Sequence, residues 1–279
     1  LWLRRVAADI AAMIKATLST WLRRAGLMHL ADVVRFRLLQ ARHRAENQRF
    51  RVAHSGVSLP PDYLMYESYR LSYRSYYEGG RETAEWVRDQ LAPYTSLQNQ
   101  HILDWGCGPG RVVRHLPAVV GHGCHFTGTD ANAQSIAWCQ AHLPGITFLA
   151  NEMRPPLPLP AATVDAAYGI SIFTHLSREA HASWLAELLR VLRPGGVLLL
   201  TTHGAAFRAI LTPTEQAQFE AGALVERRQV REGHRVFAAF QPPAFLRQLF
   251  GERLVVLAHT PGEWLGHGAS QDVWLLRKS

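Results

Sequence analysis

Cysteine is scarce in this chain. Cys107, Cys124 and Cys139 are the whole complement, with no C-x-x-C pair among them. An odd, widely spaced set argues against a disulfide framework or a zinc site and suits a reducing, cytoplasmic setting. Long apolar runs are missing too, since none approaches the roughly 18–20 residues that cross a bilayer. The first segment is interrupted by Arg4, Arg5, Asp9 and Lys15, which makes it a poor signal peptide. The chain opens on Leu1 rather than a methionine, which leaves room for residues upstream. Net charge is also absent from most of the length. The formal +8 lies in residues 1–51, where 11 arginines and lysines face only Asp9, Asp32 and Glu46. Beyond Arg51 acids and bases balance, so no basic footprint surrounds the rest of the molecule, as a nucleic-acid enzyme would need.

What is present reads as a basic arm, a helical lead-in and one large α/β domain, divided at about 1–59, 60–99 and 100–279. In the arm, Leu3, Val6, Ile10, Ile14, Leu18 and Leu22 recur at helical spacing with the charges mostly on other faces. Gly26 is expected to end that helix, and Leu27, Leu30, Val34, Leu38 and Ala41 begin a second. With Trp2, Trp21 and flanking arginines, the arm has the composition of an interfacial anchor for an anionic membrane. Packing on its own domain is the plainer reading. After Pro60 and Pro61, a tyrosine-rich stretch (Tyr63, Tyr66, Tyr69, Tyr73, Tyr76, Tyr77) reads chiefly as a packed helix face. Gly79 and Gly80 should interrupt it before a further helix over 81–92.

From about residue 100, short apolar runs alternate with helical ones, the pattern of a parallel sheet built from βαβ units. Strands are predicted at 101–105, 125–130, 146–150, 164–170 and 196–202. Ser177 is placed to cap a helix that buries Trp184, Leu185, Leu188, Leu189 and Leu192 and stops at Pro194-Gly195-Gly196. Segments 254–258 and 273–277 read as an antiparallel hairpin closing one sheet edge.

The chemistry concentrates in residues 102–111, I-L-D-W-G-C-G-P-G-R, a buried strand running into a glycine turn and then a helix. Gly106, Gly108 and Gly110 remove side chains where the backbone turns tightly and approaches a ligand. The position that would complete a dinucleotide-binding G-x-G-x-x-G is Arg111. Asp104, just before the turn, would repel a pyrophosphate but could hold a cationic amino group. Asp130 ends the next strand, roughly 20 residues on, where a carboxylate can accept both hydroxyls of a ribose. Ala131 follows it directly. Asn151, after the third strand, could read an adenine edge, although asparagine there is often only a turn former. Ile170 to His175 fall at the carboxyl end of the fourth strand, where ligands of open α/β sheets bind.

Together with L-R-P-G-G-V-L-L-L at 192–200, these motifs resemble, in order and spacing, the class I adenosylmethionine-dependent methyltransferases over about residues 80–279. The nearest likeness is to bacterial members with D-W-G-C-G-P-G-R, S-V-F-T-H-L and T-T-H-G signatures, many of them associated with polysaccharide or lipid-glycan genes. Ile172 stands here where valine is expected. The resemblance implies a Rossmann-like seven-stranded sheet with helices on both faces and the final hairpin antiparallel. It also implies adenosylmethionine as cofactor, Asp104 near the methionine amino group, Gly106, Cys107, Gly108 and Gly110 beneath the methionine portion, and Asp130 on the ribose. No metal is required.

The acceptor is expected to be a hydroxyl of a sugar, glycan or related small molecule, which needs a base. His175 and His203, both after strand ends on the cofactor side, are the candidates. Tyr77, beside Gly79, is the tyrosine placed to act as a lid over the cofactor. A nucleic-acid methyltransferase using the basic arm is the first alternative. Against it, the place where base-methylating relatives carry Asn/Asp-Pro-Pro-aromatic reads G-I-S-I-F at 169–173. A catalytically silent, cofactor-binding scaffold is the second.

Overall fold

The computed structural model describes residues 28–227, 233, 237–266 and 268–279. The helix expected over the first 22 residues, with Trp2, Trp21 and the break at Gly26, lies outside them. Three helices lead in: α1 (Met28–Ala53), α2 (Asp62–Ser68) and α3 (Tyr73–Leu91). The α/β domain follows as β1 (His101–Trp105), α4 (Leu116–Val119), β2 (His125–Asp130), α5 (Ala133–His142), β3 (Thr147–Ala150), β4 (Val164–Gly169), α6 (Arg178–Val191) and β5 (Leu192–Thr202). It ends with α7 (Pro213–Glu220), β6 (Val225–Arg227), β7 (Ala238–Phe240), α8 (Pro243–Phe250), β8 (Leu254–Thr260) and β9 (Asp272–Lys278).

Seven strands form one sheet in the order β3-β2-β1-β4-β5-β9-β8. Strands β1 to β5 pair in parallel, and β9 runs antiparallel to both β5 and β8. Successive strand residues face opposite sides, so the apolar strands feed two cores. Leu103, Trp105, Leu198 and Leu200 join Trp184, Leu188 and Phe245 on one face. Ile102, Val197 and Leu199 join Val87, Leu116 and Ile136 on the other. Burying strands on both faces is what makes their sequences continuously apolar rather than alternating. Ser177 caps α6 as its position predicts, accepting from the Ala180 amide.

Two sequence expectations change and one element is added. Gly79 and Gly80 do not break the helix: α3 runs through both, and the chain instead breaks at 69–72, where Ser72 accepts the Ser75 amide as N-cap. Gly80 is used for closeness, because a Cβ there would collide with the Arg111 carbonyl oxygen. The helix after the glycine turn is reduced to a 3-10 turn, Val113–His115, and the four-residue α4. Pro117, with no amide hydrogen to give Val113, interrupts any longer ladder. Finally β6 and β7 make a small second sheet that sequence pattern did not reveal, their three-residue lengths being too short to show a period.

The lead-in is tied together through its polar groups. Asn47 in α1 donates to Leu71 O at 2.7 Å and accepts from Tyr73 N at 2.9 Å, while Gln40 donates to Asp62 and Tyr66 to Asp32, each at 2.7 Å. Phe50, Met65, Tyr73 and Tyr76 form the core beneath, so most of the tyrosine stripe is packing. No helix among the described residues is long and apolar enough to cross a membrane.

The two adjacent glycines give opposite expectations. Alanine is the better helix former by up to about 1 kcal/mol, and nothing stands within 4 Å of a Cβ at Gly79, so Gly79→Ala should stabilise slightly. Gly80→Ala should destabilise by about 1–3 kcal/mol, because backbone must move to admit the methyl. Urea unfolding of both variants checks the pair; a Gly80→Ala protein as stable as wild type would contradict the close contact.

Candidate active site

The loops at the carboxyl ends of β1 to β4 enclose the site, and the turn after β1 is its floor. Gly106 N and Cys107 N both donate to Thr129 O, at 2.8 and 2.9 Å, which laces the turn to β2. Gly106 has φ +80°, and a Cβ there would strike the Ile172 side chain, so only glycine fits. From above, Tyr76 of α3 donates its hydroxyl to Pro109 O at 2.7 Å. Gly110 lies beneath the turn rather than in the site, against Leu143 and Cys139.

Two adjoining cavities open over this floor. The larger, about 650 Å³, is lined by Asp104, Gly106, Cys107, Gly108, Asp130, Ala131 and Ile170, with the end of α2 as its roof. The smaller, about 120 Å³, runs past Trp105, Asn151, Met153, Leu176 and Trp184. Gly106, Asp130, Ala131, Ile172 and His175 border both.

Asp130 stands at the junction. Gly108 N donates to one of its oxygens at 2.8 Å and Asn132 N to the other at 2.7 Å. Each carboxylate oxygen can accept a second bond, so the group can serve a vicinal diol without releasing either loop. Burial raises its pKa, and the two amides oppose that rise. In the smaller cavity the Asn151 amide nitrogen donates to Glu152 O at 2.7 Å. That bond fixes the amide orientation and leaves Asn151 Oδ1 buried without a partner. A buried acceptor left without a partner beside this cavity fits the exocyclic amine of an adenine.

Asp104 is 4% exposed. Burial pushes its pKa up to about 7, against the lowering effects of the Tyr168 hydroxyl and Arg111 and with the Asp130 charge adding to the rise. A buried carboxyl that its neighbours offset only in part, bordering the larger cavity, suits a cationic ligand group, which would draw it into the ionised form. The three side chains thus match an amino acid end, a ribose and an adenine, the parts of adenosylmethionine.

The two candidate bases separate. His175 borders both cavities, and its Nδ1 lies 2.8 Å from Phe237 O. Only a protonated Nδ1 can bond a carbonyl, so in the neutral ring Nε2 carries the lone pair. His203 borders neither cavity. Its Nδ1 lies 3.0 Å from Ala239 O, its ring packs on Phe207 and Phe240, and burial drives its pKa down to about 3. Such a ring is too weak a base for chemistry at neutral pH. Tyr77 is likewise displaced from its expected place. It packs on Phe50, His54 and His115 and borders neither cavity, while Tyr76, one residue and 100° round the helix, reaches the turn.

Sequence reasoning missed the roof. Leu64, Glu67 and Ser68 of α2, with Tyr69 just beyond it, cover the larger cavity from some 40 residues before the turn; of these only Tyr69, in the tyrosine stripe, is marked by a local pattern. Glu67 accepts from Asn132 Nδ2 at 3.1 Å, and Tyr69 lies 4.3 Å beneath the Arg111 guanidinium. Ser171 fell within the stretch singled out after the fourth strand but was given no role. It borders the larger cavity at φ +63°, held by its amide on Thr201 Oγ1 at 2.8 Å and its hydroxyl on Gln271 at 3.0 Å. A signal existed for Arg111 and Ile172, both inside motifs already singled out.

Residues 102–196 match the family model of the methyltransferase domain. A solved 1,6-didemethyltoxoflavin-N1-methyltransferase from Burkholderia thailandensis, with bound 1,6-didemethyltoxoflavin and S-adenosylhomocysteine, aligns with a TM-score of 0.52 over 80% of this chain and 92% of that one, at 16% identity. The fold is that of the class I adenosylmethionine-dependent methyltransferases. Among curated methyltransferases, the phthiotriol/phenolphthiotriol dimycocerosates methyltransferase 1 of Mycobacterium ulcerans is 33% identical over 181 residues, covering 60% of this chain and 64% of its own length. The trans-aconitate 2-methyltransferase of an Azoarcus strain is 30% identical over 131 residues, 46% of this chain and 48% of its own. The chain therefore spans less than two thirds of either curated methyltransferase.

The raised Asp104 pKa sets a pH dependence. A cationic amino group favours ionised Asp104, so binding releases a proton when the free site is protonated. Affinity for adenosylmethionine should fall up to about tenfold per pH unit below 7, whereas adenosine, which lacks the amino group, should bind nearly independently of pH. Calorimetry between pH 5.5 and 8 checks this, and parallel pH profiles for the two ligands would remove Asp104 from the amino-acid end.

Proposed function

We propose that this methyltransferase domain transfers the methyl group of adenosylmethionine to a hydroxyl of a glycan or related small molecule. The carrying observation is His175, the one candidate base that borders both cavities, with its Nδ1 against Phe237 O so that Nε2 is the basic nitrogen.

Adenosylmethionine, when bound, supplies a methyl already activated by its sulfonium. What this chain contributes is position, dryness and a proton acceptor. Asp104, Asp130 and Asn151 hold the two ends and the middle of the cofactor. Ile172, Met153 and the α2 roof limit water at the junction of the cavities. His175 Nε2 would take the proton of the acceptor hydroxyl, freeing its oxygen for the methyl that the bound cofactor would supply. The charge left on the imidazole is shared with the carbonyl behind it.

Support for an oxygen acceptor comes also from the motif likeness to bacterial glycan-associated methyltransferases. The Mycobacterium ulcerans relative is named for a triol. Its name and that of the trans-aconitate relative describe different acceptors, so the acceptor class rests on the site rather than on either name.

His175→Ala should lower turnover by about 100-fold or more while S-adenosylhomocysteine binds with nearly unchanged affinity. A screen of hydroxylated sugars and glycolipids, read by mass spectrometry for a 14-dalton gain, would supply the acceptor for that comparison. Turnover within a few-fold of wild type in the variant would leave alignment alone as the source of catalysis.

A further inference from the structure

The outer face of α1 is built unlike any other surface described here. Its inner face carries the packing: Phe36 against Tyr63 and Tyr66, Asn47 on the α2–α3 link, and Phe50 in the core. Both of its described acids are engaged away from the opposite side, Asp32 by the Tyr66 hydroxyl and Glu46, on the flank, by His43 and Ser72. At 100° per residue, the opposite side brings Val34, Leu38, Ala41, Ala45 and Val52 into one stripe. That stripe is open, with Val34 50%, Leu38 65% and Val52 74% exposed.

Arginines border it on both sides at seven-residue spacing: Arg35, Arg42 and Arg49 along one edge, Arg37, Arg44 and Arg51 along the other. Arg51 turns back onto Tyr73, and Arg37 and Arg49 bond only within the helix. The remaining Arg35, Arg42 and Arg44 are exposed. Upstream, residues 1–27 add Arg4, Arg5, Lys15, Arg23 and Arg24 against a single acid, Asp9.

We propose that this face of α1 docks on the surface of an anionic lipid bilayer, with the apolar stripe at the acyl boundary and the two arginine rows among the headgroups. Charge decides between the possible occupants. A second copy of the chain would set arginine rows against arginine rows with no acid on either face to pair them. A nucleic acid would satisfy the arginines but not the stripe between them, since phosphate contacts need no apolar seat. A bilayer satisfies both, because long basic side chains reach headgroups while their stems and the stripe cover apolar surface. The docking face lies directly behind the α2 roof of the active site, so it would hold the site at the membrane without occupying it. The inference stands independently of the hydroxyl acceptor.

The test uses the full chain and vesicles of phosphatidylglycerol with phosphatidylcholine, against vesicles of phosphatidylcholine alone. Deleting α1 would strip the roof of its support, so substitutions on the outer face replace truncation. Sedimentation should follow the anionic vesicles only and decline as salt shortens the screening length from about 10 Å at 0.1 M to about 3 Å at 1 M. Each arginine near such a surface contributes about fivefold in partitioning, so Arg35→Gln/Arg42→Gln/Arg44→Gln should weaken binding on the order of 100-fold. Val34→Glu/Leu38→Glu should weaken it about tenfold or more. Unchanged thermal melting and S-adenosylhomocysteine binding would show that both variants remain folded. A full chain that stays in the supernatant with anionic vesicles at low salt overturns the proposal. So does a Val34→Glu/Leu38→Glu variant that binds vesicles like wild type, or a stripe whose substitution dissociates a dimer instead.

Discussion

The turn that follows β1 has almost no freedom left to it, and the rest of the site inherits that rigidity. Its first two amides are bonded to Thr129, its third to the Asp130 carboxylate, and one of its carbonyls to Tyr76. Ile172 fills the space where a side chain on Gly106 would go. The floor of the larger cavity is thereby joined to β2, to the loop after β4 and to the helical layer above. Fixing these groups before a ligand arrives is how a fold lowers the entropic cost of binding. Asp130 shows the economy of the arrangement: one carboxylate ties two loops and still has acceptor capacity facing the cavity.

The helical lead-in is therefore part of the site rather than an appendage to it. Tyr76 presses on the turn from α3, and α2 closes the larger cavity with Leu64, Glu67 and Ser68. Both depend on α1, whose Asn47 secures the link between them. A substitution on the inner face of α1 would reach the cofactor through two packed layers and no direct contact.

Where a signal was local, the sequence carried it. Strands β1 and β2 lie at the bounds the sequence predicts, 101–105 and 125–130. Asp104, Asp130 and Asn151, each at or within one residue of a strand end, line the two cavities. The failures have physical causes. Propensity alone makes Gly79 and Gly80 read as breakers, whereas close contact with Arg111 requires the missing side chain at Gly80 and the helix tolerates Gly79. Tyr77 was chosen over Tyr76 because adjacent residues on a helix cannot be ranked by facing without knowing the partner. His203 looked equivalent to His175 until β7 was seen to cover it, and β7 is too short to be recognised. The α2 roof depends on a long-range approach that leaves no trace in the residues of the roof itself.

The sheet order has a consequence for how this chain is made. Strand β9 lies between β5 and β8, so the ladder edge of β5 cannot be covered until Asp272–Lys278 has been synthesised. Residues 203–271 intervene, and at a ribosomal pace of about 5–20 residues per second they take on the order of 4–14 seconds to emerge. Throughout that interval Val197 to Leu200 present a bare, apolar strand edge, the kind that recruits other chains. The parallel half of the sheet is complete well before its boundary is safe. Nascent chains stalled between β5 and β9 would accordingly be the aggregation-prone species of this protein, and the final hairpin acts as the closing stitch of its biosynthesis.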